Sequence, residues 1–261
     1  MLACVLIFGL IEIAAAAATG CGTVLLEQGR VTQVIDARTL RLNDDREIRL
    51  AGITPPSNTA PAKALLTALV ANRDVVLRSD NETPDRYGRQ QAFVTPADGD
   101  ISVQAALLRA GAAILTGTLP AGECVTELAA AEAVALQAGQ GVWSTPSVIK
   151  NAENPDDILA MLGQFALIKG KVLSVRQSGA TFYLNFGRRW VRDFAVIIPR
   201  QMIGSLTRDG IDIRALAGRW VRVRGWIEQR GGPRIRLRGT GQIEVLDRQS
   251  SVFRYKRISF T

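Results

Sequence analysis

Between Arg30 and Leu50 apolar residues recur at even spacing, as Val31 and Ile35, Leu40 and Leu42, and Ile48 and Leu50. An even period places them on one face of extended strands. Asn43-Asp44-Asp45 supplies a turn, so the stretch reads as a β-meander. The period changes at Pro61–Ala71, where Leu65, Leu66, Leu69 and Val70 follow helical spacing and Pro61 suits a first turn. Val75–Leu77 and Gln91–Val94 read as strands on either side of a turn-rich segment. Ile101–Ala110 and Cys124–Ala138 read as helices that stop at Gly111 and Gly139. Strands first and helices later, closing near Trp143, predict an α+β unit around a small barrel.

Lys150–Asp157 is polar, carries a proline and lacks periodicity, so it is the expected linker. Beyond it, Ala166–Val175, Thr181–Phe186, Phe194–Ile198, Trp220–Ile227, Arg234–Leu237 and Gln242–Leu246 read as short strands, with a helical stretch near Arg200–Ala217. Short strands with one helix between them match an OB-like barrel, and a small β-sandwich is the alternative. The expected fold class is therefore α+β, mainly β. Residues 28–146 form the first unit, 147–160 a linker, 161–248 a basic OB-like β-barrel, and 249–261 a basic tail.

Leu2–Ile11 is an apolar run followed, after Glu12, by an alanine tract whose Ala16-Ala17-Ala18 fits a signal-peptidase site. Residues 1–18 are thus expected to be a signal peptide, 19–29 an N-terminal segment, and the protein periplasmic or secreted. No second apolar stretch approaches the ~20 residues of a membrane span. Cleavage would remove Cys4 and leave Cys21 and Cys124, an even remainder that suggests one disulfide in an oxidising compartment. The rival reading, lipid on Cys21 as in a lipoprotein, orphans Cys124 and ranks behind it.

Composition narrows the chemistry. The 261 residues contain no histidine, which excludes Ser-His and Cys-His pairs and every imidazole metal site, and three cysteines cannot make a four-thiolate site. The net charge of +8 is unevenly shared. Residues 1–150 hold 12 Lys+Arg against 15 Asp+Glu, whereas residues 151–261 hold 20 against 9. Attraction for a polyanion is expected in the second half.

Within that half, Trp220-Val221-Arg222-Val223-Arg224-Gly225-Trp226-Ile227 alternates strictly, and so does Arg234-Ile235-Arg236-Leu237-Arg238. Pairing the two through Gln229-Arg230-Gly231-Gly232 would put the aliphatic residues inside. Trp220, Arg222, Arg224, Trp226, Arg230, Arg234, Arg236 and Arg238 would then be outside. Guanidinium groups neutralise phosphates and indole faces stack bases, so this surface suits single-stranded nucleic acid. The competing account has the tryptophans covering a domain interface while arginine stems shield the barrel. A third candidate partner is an acidic protein or other polyanion of the cell envelope.

Three segments carry a family resemblance: Ile35-Asp36-Ala37-Arg38-Thr39, Ile48-Arg49-Leu50-Ala51-Gly52-Ile53-Thr54-Pro55-Pro56-Ser57 and Asp85-Arg86-Tyr87-Gly88-Arg89. From about Gln28 to Trp143 the chain resembles the staphylococcal (thermonuclease-type) nucleases. That resemblance implies an OB-like five-stranded barrel with three helices. Active relatives hold one calcium ion through carboxylates, activate water with a glutamate and clamp the phosphate with two arginines. Mapped onto this chain, the resemblance retains Arg49, Arg89 and Asp36. The metal-aspartate positions carry Arg38 and Thr54, and the general-base position carries Ser57. A guanidinium repels Ca²⁺, and a hydroxyl is too weak a base at neutral pH. The expectation is a degenerate nuclease with no metal or other cofactor, which binds nucleic acid or another polyanion without cutting it. The alternative is an active calcium-dependent phosphodiesterase that recruits other carboxylates. With no metal, Arg49 and Arg89 have plain structural readings as a salt-bridging residue and a turn anchor, and Asp36 as a turn cap.

Overall fold

A computed structural model describes residues 21–120 and 122–246. The expected signal peptide at 1–18 and basic tail at 249–261 lie outside the described residues. The chain is mixed α+β, mainly β, with five α-helices among the described residues.

In the first half, the alternating runs become β1 (Val24–Leu25), β2 (Gly29–Asp36), β3 (Thr39–Leu42), β4 (Glu47–Leu50) and β5 (Ile53–Thr54). They are followed by α1 (Ala60–Val70), β6 (Asp74–Ser79), β7 (Gln90–Pro96), α2 (Val103–Arg109), β8 (Ile114–Leu115) and α3 (Glu123–Gln137). β2, β3 and β4 form the meander, β7 joins β4 in parallel, and β6 pairs with both β7 and β2. Five strands therefore close into a ring. The even-spaced residues Val31, Leu40, Leu42, Ile48 and Leu50 are all buried in one cluster with Leu66 and Val70 of α1 and Leu107 and Leu108 of α2. Cys21 and Cys124 are disulfide-bonded across 103 positions, tying the segment before β1 to the first turn of α3. Closing a loop of that length restricts the unfolded chain by an amount equivalent to about 4–5 kcal/mol.

The second half builds β9 (Ile149–Asn151), α4 (Pro155–Leu159), β10 (Phe165–Lys171), β11 (Ser174–Ser178), β12 (Thr181–Asn185), β13 (Ala195–Ile198) and α5 (Arg200–Arg208). It ends with β14 (Trp220–Trp226), β15 (Glu228–Arg230), β16 (Gly232–Arg236) and β17 (Ile243–Leu246). One sheet has the order β17-β14-β10-β9, the other β11-β12-β13-β16-β15, and both pack on a core that includes Ile168, Phe194, Val223 and Ile235. The stretch expected as a linker carries β9, parallel to β10, and α4, where Pro155 opens the helix and Ile158 is buried. Proline at the first helical position gives up an N–H that has no partner there anyway.

The hairpin expected from the arginine pattern does not form. β14 has both edges taken, by β10 over seven residue pairs and by β17, and β16 pairs instead with β13 and with β15. The chain leaves β14 at Ile227, which bridges to Leu162, and a Glu228–Arg234 ion pair then joins β15 to β16.

The halves meet closely. Ile114, Ala135 and Trp143 from the first pack with Leu167 of β10. Gly117, at φ +71°, lies so near the chain at Gly241 that a Cβ would stand 2.4 Å from its carbonyl oxygen. Only glycine suits both that dihedral and that approach.

Candidate functional site

The turn between β2 and β3 is built by its own side chains. Asp36 accepts the Arg38 amide N–H at 2.8 Å on Oδ1 and the Thr39 hydroxyl at 3.0 Å on Oδ2. Thr39 faces Arg49 across the β3–β4 ladder, and β4 runs parallel to β7, so Arg49 comes beside the segment that leads into β7.

That segment, Asp85–Arg89, is held by one carboxylate. Asp85 accepts the amides of Tyr87 and Arg89 on Oδ1, at 2.9 and 3.1 Å. Its Oδ2 takes Nε and Nη2 of Arg89 at 3.0 and 2.7 Å. The hydrogen bond from Arg89 holds the Asp85 carboxyl down at about 2, well below its ordinary 3.8, and raises the Arg89 guanidinium in turn. Tyr87 stands 65% exposed, with the guanidinium carbons of Arg86 and Arg89 each 4.7 Å from its ring centre.

Arg49 differs from Arg89. Burial is the largest influence on it and lowers its pKa, repulsion from Arg89 adds to this, and Asp36 and Asp85 oppose both. Among the described residues no hydrogen bond or ion pair engages its guanidinium. A half-buried cation beside a second cation is poised for an anion that can bridge both.

The substituted positions take another direction. Arg38 donates from Nη1 to the Ile53 carbonyl at 3.1 Å, Thr54 is buried, and exposed Ser57 has its hydroxyl 3.4 Å from Oε1 of Gln164 in the second half. All three line a cleft of about 870 Å³ between the halves, to which the second half contributes Gln164, Phe165 and Trp226 among others.

Calcium needs several anionic oxygens. This donor set does not fit it: Asp36 spends both oxygens on its own turn, Arg38 is a cation, and Thr54 is neutral. No group of three or more Asp, Glu, Cys or His converges among the described residues. Of the nearby acids Asp44, Asp45 and Glu47, the first and last are paired with Arg46 and Arg41, and Asp45 is exposed in the turn between β3 and β4.

The arginine face of the second half is split by the structure. Trp220 and Trp226 remain 38% and 47% exposed, Arg230 and Arg238 are exposed, and Arg234 and Arg236 are partly covered, Arg234 by its pair with Glu228. Arg222 and Arg224 are buried, a correction to the exposed face expected for them. Arg222 pairs with Glu244 of β17, and burial lowers its pKa against that pairing. Arg224 reaches Glu132 of α3 at 2.8 Å and the Leu115 carbonyl at 2.8 Å, while Glu132 also accepts the Leu115 amide at 2.7 Å. Strand alternation put these arginines on one face correctly. What covers that face is a helix some ninety positions earlier in the chain. Arg224 fills the contact with α3, Arg222 is held within its own sheet, and the tryptophans at the two ends of β14 stay partly exposed.

Sequence reasoning overlooked Asp85 as the partner of Arg89, although their four-residue spacing was visible, and also Tyr87 as the ring between two guanidiniums. Because the Asp85 carboxyl is depressed only when folded, its pairing stabilises the turn above about pH 4 and loses that contribution as pH falls toward 2. A carboxyl-carbon NMR titration should place the Asp85 midpoint near 2, and Arg89→Ala should return it toward 3.8. A native midpoint already at the ordinary value would show that the pairing is absent.

Residues 47–145 match the family model described as staphylococcal nuclease homologue, a span that includes Arg49, Thr54, Ser57, Asp85 and Arg89. No curated protein matches the chain.

Proposed function

We propose that this protein binds nucleic acid, or a polyanion of similar phosphate chemistry, at the Arg49–Arg89 centre and does not cleave it by calcium chemistry. The observation that carries this reading is the inequality of the two arginines. Arg89 is locked to Asp85, and Arg49 stands half-buried beside it with no carboxylate on its guanidinium. A phosphate entering there gains hydrogen bonds from Arg49 without displacing an existing pair. The family match over 47–145 supports nucleic acid as the source of that phosphate. Loss of the enzyme activity follows from the donor set: Arg38, Thr54 and Ser57 supply neither an anionic cage nor a base. We read 161–248 as a second OB-like barrel, on the support of two sheets sharing one core. Export to an oxidising compartment draws its support from the Cys21–Cys124 pair.

Fluorescence anisotropy with a labelled single-stranded oligonucleotide in EDTA tests the reading. The native chain should bind in a salt-dependent manner. Arg49→Ala should weaken binding about 10- to 100-fold, the worth of hydrogen bonds to a charged group. Adding Ca²⁺, Mg²⁺ or Mn²⁺ should produce no shortened product on a gel. Metal-dependent cleavage that disappears in Arg49→Ala would instead establish the active phosphodiesterase.

A further inference from the structure

The hairpin between β12 and β13 ends in a tight turn, Arg188-Arg189-Trp190-Val191-Arg192, with Trp190 and Val191 at its two central positions. The Arg192 amide donates to the Arg189 carbonyl at 2.8 Å, and the Asp193 carboxylate accepts the Arg189 amide at 2.7 Å. Behind the turn, the backbone at Gly232 approaches so closely that a Cβ would meet the Asp193 carbonyl oxygen at 2.5 Å. The turn is thus held from within and from behind, and its shape owes nothing to the Trp190 side chain.

Central turn positions favour Gly, Pro, Asn, Asp or Ser, each for a backbone reason. Here they carry an indole 75% exposed and an isopropyl group 54% exposed. Local preference is violated and no packing is gained in return, which is the pattern expected of a functional residue. The guanidiniums of Arg188 and Arg189 have no partner among the described residues, and that of Arg192 shares only a solvent-exposed pair with Asp156 at 3.3 Å.

We propose that this turn is a second contact for single-stranded nucleic acid, in which a base stacks on Trp190 while Arg188 and Arg189 hold the flanking phosphates. The inference rests on the reading that the chain binds nucleic acid, and it adds a site remote in sequence from Arg49. Rigid presentation lowers the entropic cost of capturing a flexible strand. An anionic membrane is the less suitable occupant. The apolar tip is only two side chains wide, and Glu153, Asp156 and Asp193 lie beside the arginines, where a flat negative surface would meet them. A strand can place separate phosphates on the arginines and avoid those acids.

The test uses the full chain and a labelled oligothymidylate, by anisotropy across a salt series. Trp190→Ala should weaken binding about 5- to 100-fold, and Trp190→Phe should recover most of it, since any aromatic face stacks a base. Arg188→Ala combined with Arg189→Ala should flatten the salt slope by about 1.4, roughly 0.7 per phosphate lost. Arg49→Ala should leave a residual affinity that still depends on Trp190. If Trp190→Ala and the double arginine variant bind as tightly as the native chain while Arg49→Ala does not, the second contact fails and the Arg49 centre stands. If only Arg49→Ala is silent, the reverse holds. Binding to phosphatidylglycerol vesicles that requires Trp190, with oligonucleotide affinity unaltered by its loss, would overturn the inference in favour of a membrane contact.

Discussion

Glu132→Ala lowers stability by about 3–5 kcal/mol, the cost of removing the carboxylate that is paired with the buried Arg224 guanidinium. Glu132 and Arg224 expose only 3% and 4% of their side chains, so water cannot replace a lost partner. The damage extends beyond the pair. Glu132 also accepts the Leu115 amide, so one truncation on α3 takes a partner from both the Leu115 amide of β8 and the Arg224 guanidinium of β14. Arg224→Met should cost a similar amount, because it leaves the carboxylate buried with the Leu115 amide and no cation beside it. Replacing both, as Glu132→Leu with Arg224→Met, should cost less than the two single losses added together, since no charge is left buried, although the Leu115 amide and carbonyl each lose a partner. Urea denaturation of the two single variants and the double variant measures the coupling. Additive losses in the double variant would mean that the two residues do not act as a pair.

The second large effect is a gain. Arg38→Asp with Thr54→Asp should create calcium binding detectable by calorimetry, where the native chain gives none. The two changes replace a guanidinium on the β2–β3 turn and a hydroxyl on β5, next to the Ile53 carbonyl that Arg38 reaches, by carboxylates that join Asp36. Thr54 is 4% exposed, so the carboxylate introduced there is costly without a cation, by several kcal/mol. The double variant should therefore unfold more easily than the native chain in EDTA and recover when calcium is added. Calcium at a hundredfold above its Kd would contribute about 2.7 kcal/mol. Adding Ser57→Glu returns a base to the position now occupied by a hydroxyl, and calcium-dependent cleavage should appear with it. Calcium binding by the native chain equal to that of the variant would refute the electrostatic reading of Arg38 and Thr54.

Much of the fold was legible beforehand. α1, α2 and α3 fall within two residues of the expected helices, because their leucines and alanines keep a helical period and glycine ends two of them. The ring of β2, β3, β4, β7 and β6 agrees with the five-stranded barrel that the resemblance implied. The pairing of Cys21 with Cys124 followed from the parity of cysteines left after Cys4. Other features were not legible. The expected single strand at Ala166–Val175 is two strands, β10 and β11, broken where Val172 donates its amide to Arg219 and accepts that of Gly218. Nothing local announces that break. Nor does local pattern choose which strand lies beside β14.

Residue type and spacing by themselves determined which charged and neutral groups stand at the positions the resemblance points to. Arg38, Thr54 and Ser57 put one cation and two hydroxyls where the resemblance implied acids, and that much holds whatever their coordinates, because charge belongs to the side chain. Strand period likewise determined that Trp220, Arg222, Arg224 and Trp226 share a face. Tertiary structure alone decided which of them meets solvent. Alternation divides a strand into two faces but carries no information about what lies against either. α3, brought over β14 from far along the chain, supplies Glu132 and turns Arg224 from a candidate ligand contact into a buried link between the halves.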